Sequence, residues 1–505
     1  MTAIRPEQAV GSRPGRGEVG RLAVPVGELA HFVSDMAATP GARLADAFAA
    51  GDDPVVLRLV WALDDQDRYL VTESEVQDSE YPALSDITPA AFAEECEMYE
   101  QFGIRPAGGK PLNRVAIPPQ AGPDFPRLGR RMPAALPEAH APHHVGGQAF
   151  EFPFGPVRQV AVETLYYGLV TSGEELVDLY LFTWHKHRGV EWRAQGCRPE
   201  QALFHVERME GLSAIGNAWA FAAAAEAALS IEPAEAGQRS RAVALELERL
   251  YNHAAATAAL CQACGLAVGR AAAEIALEKF LRLNAAVFGH RYLFGVVGLG
   301  GARTAPDVSA LRNGLPDAYG ELRRAAEALL QTNSLMDRLE ATGIMTAEQA
   351  RRLGMVGPVA RACGVPRDVR ADHPAPPYTD LRPAVACQDG GDVLARFRVM
   401  LAEAAESVRL IGELLERGTA AASDTPVSAP SRGYRSGLGW AESSRGESLA
   451  WLELGPAGTI RRARLRPAAV RNWRGFDDAC RSQNVFTDIP IIEASFWLTV
   501  AGTAR

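Results

Sequence analysis

Three polar side chains, Glu210, Ser213 and Asn217, recur at spacings of three and four in the stretch Glu207-Arg-Met-Glu-Gly-Leu-Ser-Ala-Ile-Gly-Asn. In a helix, at about 100° per residue, they fall within roughly 60° of one another. Their neighbours are apolar and alanine-rich, so the stripe faces a buried region, where it must find partners or line a cavity. A buried carboxylate needs a cation or a proton, and one paired with an arginine can still trade a proton with a reducible ligand. Arg445, in Glu442-Ser-Ser-Arg-Gly-Glu447, and the pair His187 and Arg188, in His187-Arg-Gly-Val-Glu191, are the other residues of this kind.

The elements that must position them read as follows. Pro199 suits the first turn of a helix, and no proline follows until Pro233, which predicts one long helix from Pro199 to Ile231. A second helix is predicted over Gln238 to Cys264, with Glu246, Arg249 and His253 on one face as a buried salt-bridge network or, second, a ligand contact. A third runs from about Arg270 to His290, and residues 305–340 and 391–417 supply amphipathic helices. Hairpins are predicted over Val160 to Val177, over Leu449 to Leu465, and across Asp64-Asp-Gln-Asp between Val55–Leu63 and Arg68–Thr72. Thr88 and Pro89 can open a helix that Gly103 closes.

The organisation is α+β. Residues 1–18 form a tail, 19–118 a small α+β domain, 119–150 a proline-rich linker, and 151–505 a mainly helical domain with peripheral hairpins. His140, His143 and His144 in the linker lack acidic or cysteine companions, which argues against a metal site there. A net charge of −9 speaks against nucleic acid as the main partner. No run of 18 apolar residues free of charge appears, so no membrane span is expected. Seven scattered cysteines suit a reducing compartment, and Cys261 and Cys264 read as packing residues in a helix.

The 207–217 stretch resembles the first signature of the nickel–iron hydrogenase large subunit, Arg-x-Cys-Gly-x-Cys-x-x-x-His. Arg208 and Gly211 match, while Glu210, Ser213 and Asn217 stand where the two cysteines and the histidine would be. The second cysteine pair, in the family's C-terminal Asp-Pro-Cys-x-x-Cys, becomes Leu498 and Ala501. Gly155, Pro156, Glu163, Gly173, Glu174, His187, Arg188, Gly189 and Glu191 follow the opening pattern of the same superfamily, which includes the NADH:quinone oxidoreductase large subunit. So does the run Glu246-Leu-Glu-Arg-Leu-Tyr-Asn-His253. Glu442, Arg445, Gly446 and Glu447 match its Glu-x-x-Arg-Gly-Glu. Glu95, Glu97, Phe102, Gly103 and Ile104 resemble the small hydrophilic subunit of the respiratory complexes, which suggests a fusion of small and large subunits.

What the resemblance implies is a cytoplasmic subunit, peripheral on the inner face of the membrane, in a complex resembling hydrogenase-4 or NADH:quinone oxidoreductase. Its expected partners are a small iron–sulfur subunit and membrane subunits that translocate ions. Iron–sulfur clusters and NAD or ferredoxin belong on the partners. Soft sulfur donors are missing, so no nickel–iron centre is expected. The remaining cavity takes a quinone or another acceptor, with Glu210 and Arg445 as catalytic groups. Arg208, Ser213, Asn217, His187 and Arg188 are the groups that would hold the ligand. Against quinone, Arg158 replaces a histidine of the quinone pocket, and Gly211 a tyrosine. The alternatives are a structural coupler, with the cavity plugged by Phe496 and Trp497, and nickel–iron held by other residues. The acidic helix around Glu95–Glu100 is expected on a solvated face that helps to dock neighbours.

Overall fold

The run Val55–Leu63 is apolar on both faces, as a strand covered on two sides must be. It lies between Ala42–Ala50 and Arg68–Val76 in a four-stranded sheet, with Glu18–Ala23 parallel to Arg68–Val76 at the edge. The expected hairpin turns at Asp64–Gln66, closed by Asp67 at φ 51°. The computed structural model describes residues 18–118, 121–122, 124–129, 133, 149–157, 163–183, 185–421, 435–481 and 484–505. Most of the tail and linker, the histidines at 140, 143 and 144, and Arg158 lie outside them.

One face of this sheet packs Leu57, Leu59 and Trp61 against Phe32 and Met36 of helix Leu29–Ala38 and Met98 and Phe102 of helix Phe92–Phe102. The other face packs Phe48, Val60 and Tyr69 against Leu438, Leu449 and Trp451. Those three come from an antiparallel sheet of Arg435–Ser443, Gly446–Leu454 and Ile460–Arg466. The hairpin expected around Pro456-Ala-Gly is its second turn. A third sheet has Phe150–Phe154 beside the hairpin Tyr166–Ser172 and Glu175–Phe182. That hairpin turns at Gly173, so its strands lie further along the chain than Val160 to Val177.

The helical core is built on Glu235–Ala263, a helix of 29 residues, most of them buried. Ala267–Phe288, Val308–Leu330 and Val393–Glu416 surround it. Ala214–Leu229, rich in alanine, lies close against strand Arg435–Ser443. Gly439 permits that approach, since a Cβ there would meet the Ala220 carbonyl oxygen at 2.2 Å.

The single helix expected from Pro199 to Ile231 is two, Pro199–Val206 and Ala214–Leu229, separated by a turn. The break is tertiary in origin. The Glu248 carboxylate accepts from the N–H groups of Ile215 and Gly216 at 2.7 and 3.1 Å and so caps the second helix at its start. Thr88 makes no side-chain cap; Pro89–Ala91 is a 3-10 turn leading into Phe92–Phe102, which Gly103 ends at φ 69°.

The acidic helix is not on a solvated face. Glu94, Glu95 and Glu100 are buried. Glu95 accepts from the N–H of Leu84 at 2.6 Å, and Glu100 from those of Val115, Ala116 and Ile117 at 2.7–3.1 Å. Burial outweighs those bonds and lifts the Glu100 carboxyl to about 7. Glu94 pairs with Arg471 at 3.2 Å, and Glu97 with Arg464 at 2.8 Å and Arg505 at 2.7 Å. Burial opposes the charge on Glu97, but the two arginines hold its carboxyl at about 2. The helix therefore meets the chain's own C-terminal third, and docking neighbours through it is excluded. Arg464 also grips Asp46 with two nitrogens, at 2.8 and 2.9 Å. Arg464→Ala strands these buried carboxylates and is expected to cost about 3–5 kcal/mol, read from the urea midpoint. An unmoved midpoint would show that the clamp contributes nothing.

Candidate functional site

The turn between the two helices and the turn between strands Arg435–Ser443 and Gly446–Leu454 meet inside the molecule. Glu210 and Ser213 come from the first, Arg445 from the second, and each is no more than 2% exposed. The Arg445 guanidinium donates through Nη1 to the Ser213 hydroxyl at 3.2 Å and lies 3.3 Å from the Glu210 carboxylate. Asn217, in the first turn of helix Ala214–Leu229, donates to the other Glu210 oxygen at 3.0 Å. Gly446 fixes the second turn: it sits at φ 123°, and a Cβ there would meet the Gly357 nitrogen at 2.6 Å.

A segment near residue 500 closes the cluster. Thr499 donates its hydroxyl to Glu210 Oε2 at 2.5 Å, and Gly502 lies so close that a Cβ would meet that oxygen at 2.7 Å. Glu163 holds this segment by accepting from the N–H groups of Val500 and Ala501, the latter at 3.1 Å. Arg188 ties it to the 207–213 turn, donating to the carbonyls of Ala501 at 3.0 Å, Arg208 at 3.4 Å and Met209. Phe496 and Trp497 are not what fills the site. Phe496 packs on Phe476 and under Arg396, and Trp497 donates its indole N–H to the Asn252 amide oxygen at 3.0 Å.

Of the residues singled out by sequence, Glu210, Ser213, Asn217 and Arg445 thus share one cluster. Arg188 touches its wall through backbone carbonyls. Arg208 turns away: it pairs with Glu207 and stacks on Phe204 at 3.8 Å and Phe294 at 4.9 Å, with more than a third of its side chain exposed. His187 packs at 5.4 Å from the Phe125 ring, its pKa pushed down by burial. Thr499 and Glu248 were missed. Thr499 carried no signal beyond lying between two former cysteine positions. Glu248 stands inside the Glu-Leu-Glu-Arg run but faces away from Glu246, towards the helix that it caps.

Burial lifts the Glu248 carboxyl to about 8, against two backbone donors and Arg445, with Glu210 adding to the rise. Arg445 keeps two further donors, Nε and Nη2, buried and without a hydrogen-bond partner. Leu498 and Ala501 pack among apolar side chains and backbone, and none of the four former cysteine positions offers a thiolate. Among the described residues no three His, Cys, Asp or Glu side chains converge as metal ligands would.

Residues 274–436 match the family described as respiratory-chain NADH dehydrogenase, 49 Kd subunit. Formate hydrogenlyase subunit 5 of Escherichia coli is 27% identical over 441 residues, 84% of this chain and 76% of its own. The chain belongs to the large-subunit superfamily of hydrogenases and NADH:quinone oxidoreductases. The fused C/D 2 protein of the Aquifex aeolicus NADH-quinone oxidoreductase is 23% identical over 402 residues, 72% of this chain and 68% of its own. The fold is shared with a chain of the membrane-bound sulfane sulfur reductase, an archaeal respiratory membrane complex. That superposition has a TM-score of 0.63 and 21% identity, and covers 71% of this chain and 99% of the other. These relatives are subunits of oxidoreductase complexes. No helix among the described residues of this chain is long and apolar enough to cross a membrane.

Because the Glu248 pKa rises on folding, from an ordinary 4.5 to about 8, its contribution to stability is complete below about 4.5 and is lost as pH climbs through 8. Glu248→Gln keeps the shape without the titration. Wild type is therefore expected to lose stability relative to Glu248→Gln between pH 5 and 8.5, as read from paired melting curves. Parallel pH profiles would contradict the assignment.

Proposed function

We propose that this chain is a peripheral-arm subunit of a membrane-associated electron-transfer complex, acting there as a structural coupler without a nickel–iron centre of its own. One observation carries the choice. The Glu210 carboxylate, at a former ligand position, is already engaged by Arg445, Asn217 and Thr499, with Gly502 against it. A site whose polar groups satisfy one another is organised for cohesion rather than for turnover. Nickel and iron with diatomic ligands need soft sulfur, and Glu210, Ser213, Leu498 and Ala501 have none to give.

The relatives support the setting. Their names describe a formate hydrogenlyase, an NADH-quinone oxidoreductase and a respiratory membrane complex. The partners in this reading are a small iron–sulfur subunit, which carries the clusters, and an ion-translocating membrane module. NAD or ferredoxin would bind elsewhere in the complex, and the chain would sit peripherally on the inner face of the membrane. The C/D relative supports reading residues 19–118 and 151–505 as a small and a large subunit fused through 119–150.

A second reading has its own observation. Arg445 Nε and Nη2 are two buried donors without partners, and they suit an oxygen atom of a quinone or another small acceptor. Glu210→Gln separates the readings when turnover and melting temperature are measured together in the assembled complex. For a coupler the variant loses about 1–3 kcal/mol and keeps its turnover. Loss of most turnover with the fold intact would move the conclusion to the ligand site. The purified complex is expected to carry no stoichiometric nickel on this chain, which elemental analysis checks.

A further inference from the structure

Three residues before Arg445, Glu442 enters a different buried cluster. Helix Glu235–Ala263 contributes Glu246, Arg249 and His253, helix Val393–Glu416 contributes Glu403, and Arg361, Asp368 and Arg370 come from the segment between. Arg370 bridges Glu246 at 3.0 Å and Asp368 at 2.6 Å. Arg249 lies 3.2 Å from Glu246, and Glu403 is held by Arg361 at 2.7 Å and faces His253 at 3.0 Å. All are essentially without solvent contact.

Four carboxylates here face three guanidiniums, and a net buried charge is costly. The shortfall falls on Glu442. Glu246 is approached by two guanidiniums and two hydroxyls, those of Tyr378 and Ser407. Asp368 is gripped by Arg370 with two nitrogens. Arg249 gives its two Nη groups to the backbone carbonyls of Glu442 and Ser443. Glu442 keeps one nitrogen of Arg361, at 2.9 Å and shared with Asp368, and the N–H of Val369 at 3.2 Å. Burial and Asp368 push its carboxyl up to about 7, against Arg361, Arg249 and Arg370, whereas the arginines hold Glu246 and Glu403 at about 2 despite burial. Burial lowers the pKa of His253, which leaves it a poor proton store.

The remaining charges around Glu442 are matched. Its cross-strand neighbour Glu447 is paired with Arg43 and Arg466. His373 faces Asp64, Asp372 accepts from the N–H of Asp368, and Glu226 of the adjoining helix is paired with Arg241. A crevice lined by Trp219, Tyr378, Arg370, His373 and Trp440 leads to Glu442, and reaches the surface at Ala375 and Trp440, which are partly exposed.

We propose that Glu442 is a proton-binding site, holding one exchangeable proton for this cluster and taking it from solvent water through the crevice near neutral pH. A proton passes from water to the carboxylate and back, and no other bond changes. The test is an infrared pH titration, from pH 5 to 9, of the full chain in its complex. A protonated-carboxyl band with a midpoint near 7 is expected in wild type, absent from Glu442→Gln and retained in Glu248→Gln. The same band in Glu442→Gln overturns the proposal. Should that variant fail to fold, Asp368→Asn removes the charge that raises Glu442, and the midpoint must fall to lower pH; an unmoved midpoint counts equally against the site. Ala375→Trp, at the mouth, is expected to slow the band's response to a pH jump at least about tenfold, with its midpoint unchanged. An unaltered rate rules out the crevice as the route.

Discussion

Desolvated charge on a single hairpin turn constrains everything around it. Glu442, Arg445 and Glu447 lie within six residues, all are buried, and each must find its counter-charge without water. They find them in three directions. Glu442 reaches Arg361 in the helical core, and Arg445 reaches Glu210 and Ser213 in the turn between helices Pro199–Val206 and Ala214–Leu229. Glu447 reaches Arg43 and Tyr69 in the N-terminal sheet, with Arg466 from its own sheet. Only one placement of the turn satisfies all three at once. The first sheet, the helical core and the C-terminal sheet are thereby held in a fixed relation.

The superfamily motifs kept in this chain do structural work at close range. Glu163 holds the backbone of Val500 and Ala501, and Arg188 joins that segment to residues 208 and 209. Glu191 accepts from the N–H of Leu465 and pairs with Arg462 and Arg505. Each fixes backbone segments around the position where the superfamily's cysteines would stand. Retention of this scaffold explains how the fold persists while the donor atoms at Glu210, Ser213, Leu498 and Ala501 have changed.

What the sequence made legible was what depends on neighbours in the chain. The apolar period of Gln238 to Cys264 marked a helix that runs from Glu235 to Ala263, and Asp64-Asp-Gln-Asp marked a turn. The association of Glu210 with Arg445 was legible through the motifs alone, since 235 residues separate them. The break at residues 207–213 was not legible, because the carboxylate that caps Ala214–Leu229 is supplied 33 residues later, by Glu248. The acidic helix misled for the same reason. Its charges resemble a solvated face until Arg464, Arg471 and Arg505 arrive from the far side of the chain. Local pattern reports a residue's period, not the partner that offsets its desolvation.

The wall around Glu210 has a consequence in time. Thr499 is 289 residues further along the chain than the carboxylate it closes, and Arg505 is 314 residues beyond Glu191. At about 5–20 residues per second on the ribosome, such a gap lasts roughly 15–60 s. During that interval the helices carrying Glu210 and Glu248 can form, but the niche between them stays open to water and its carboxylates stay hydrated. Sealing is a late event of biogenesis, so whatever must enter or inspect the niche has its opportunity on the nascent chain.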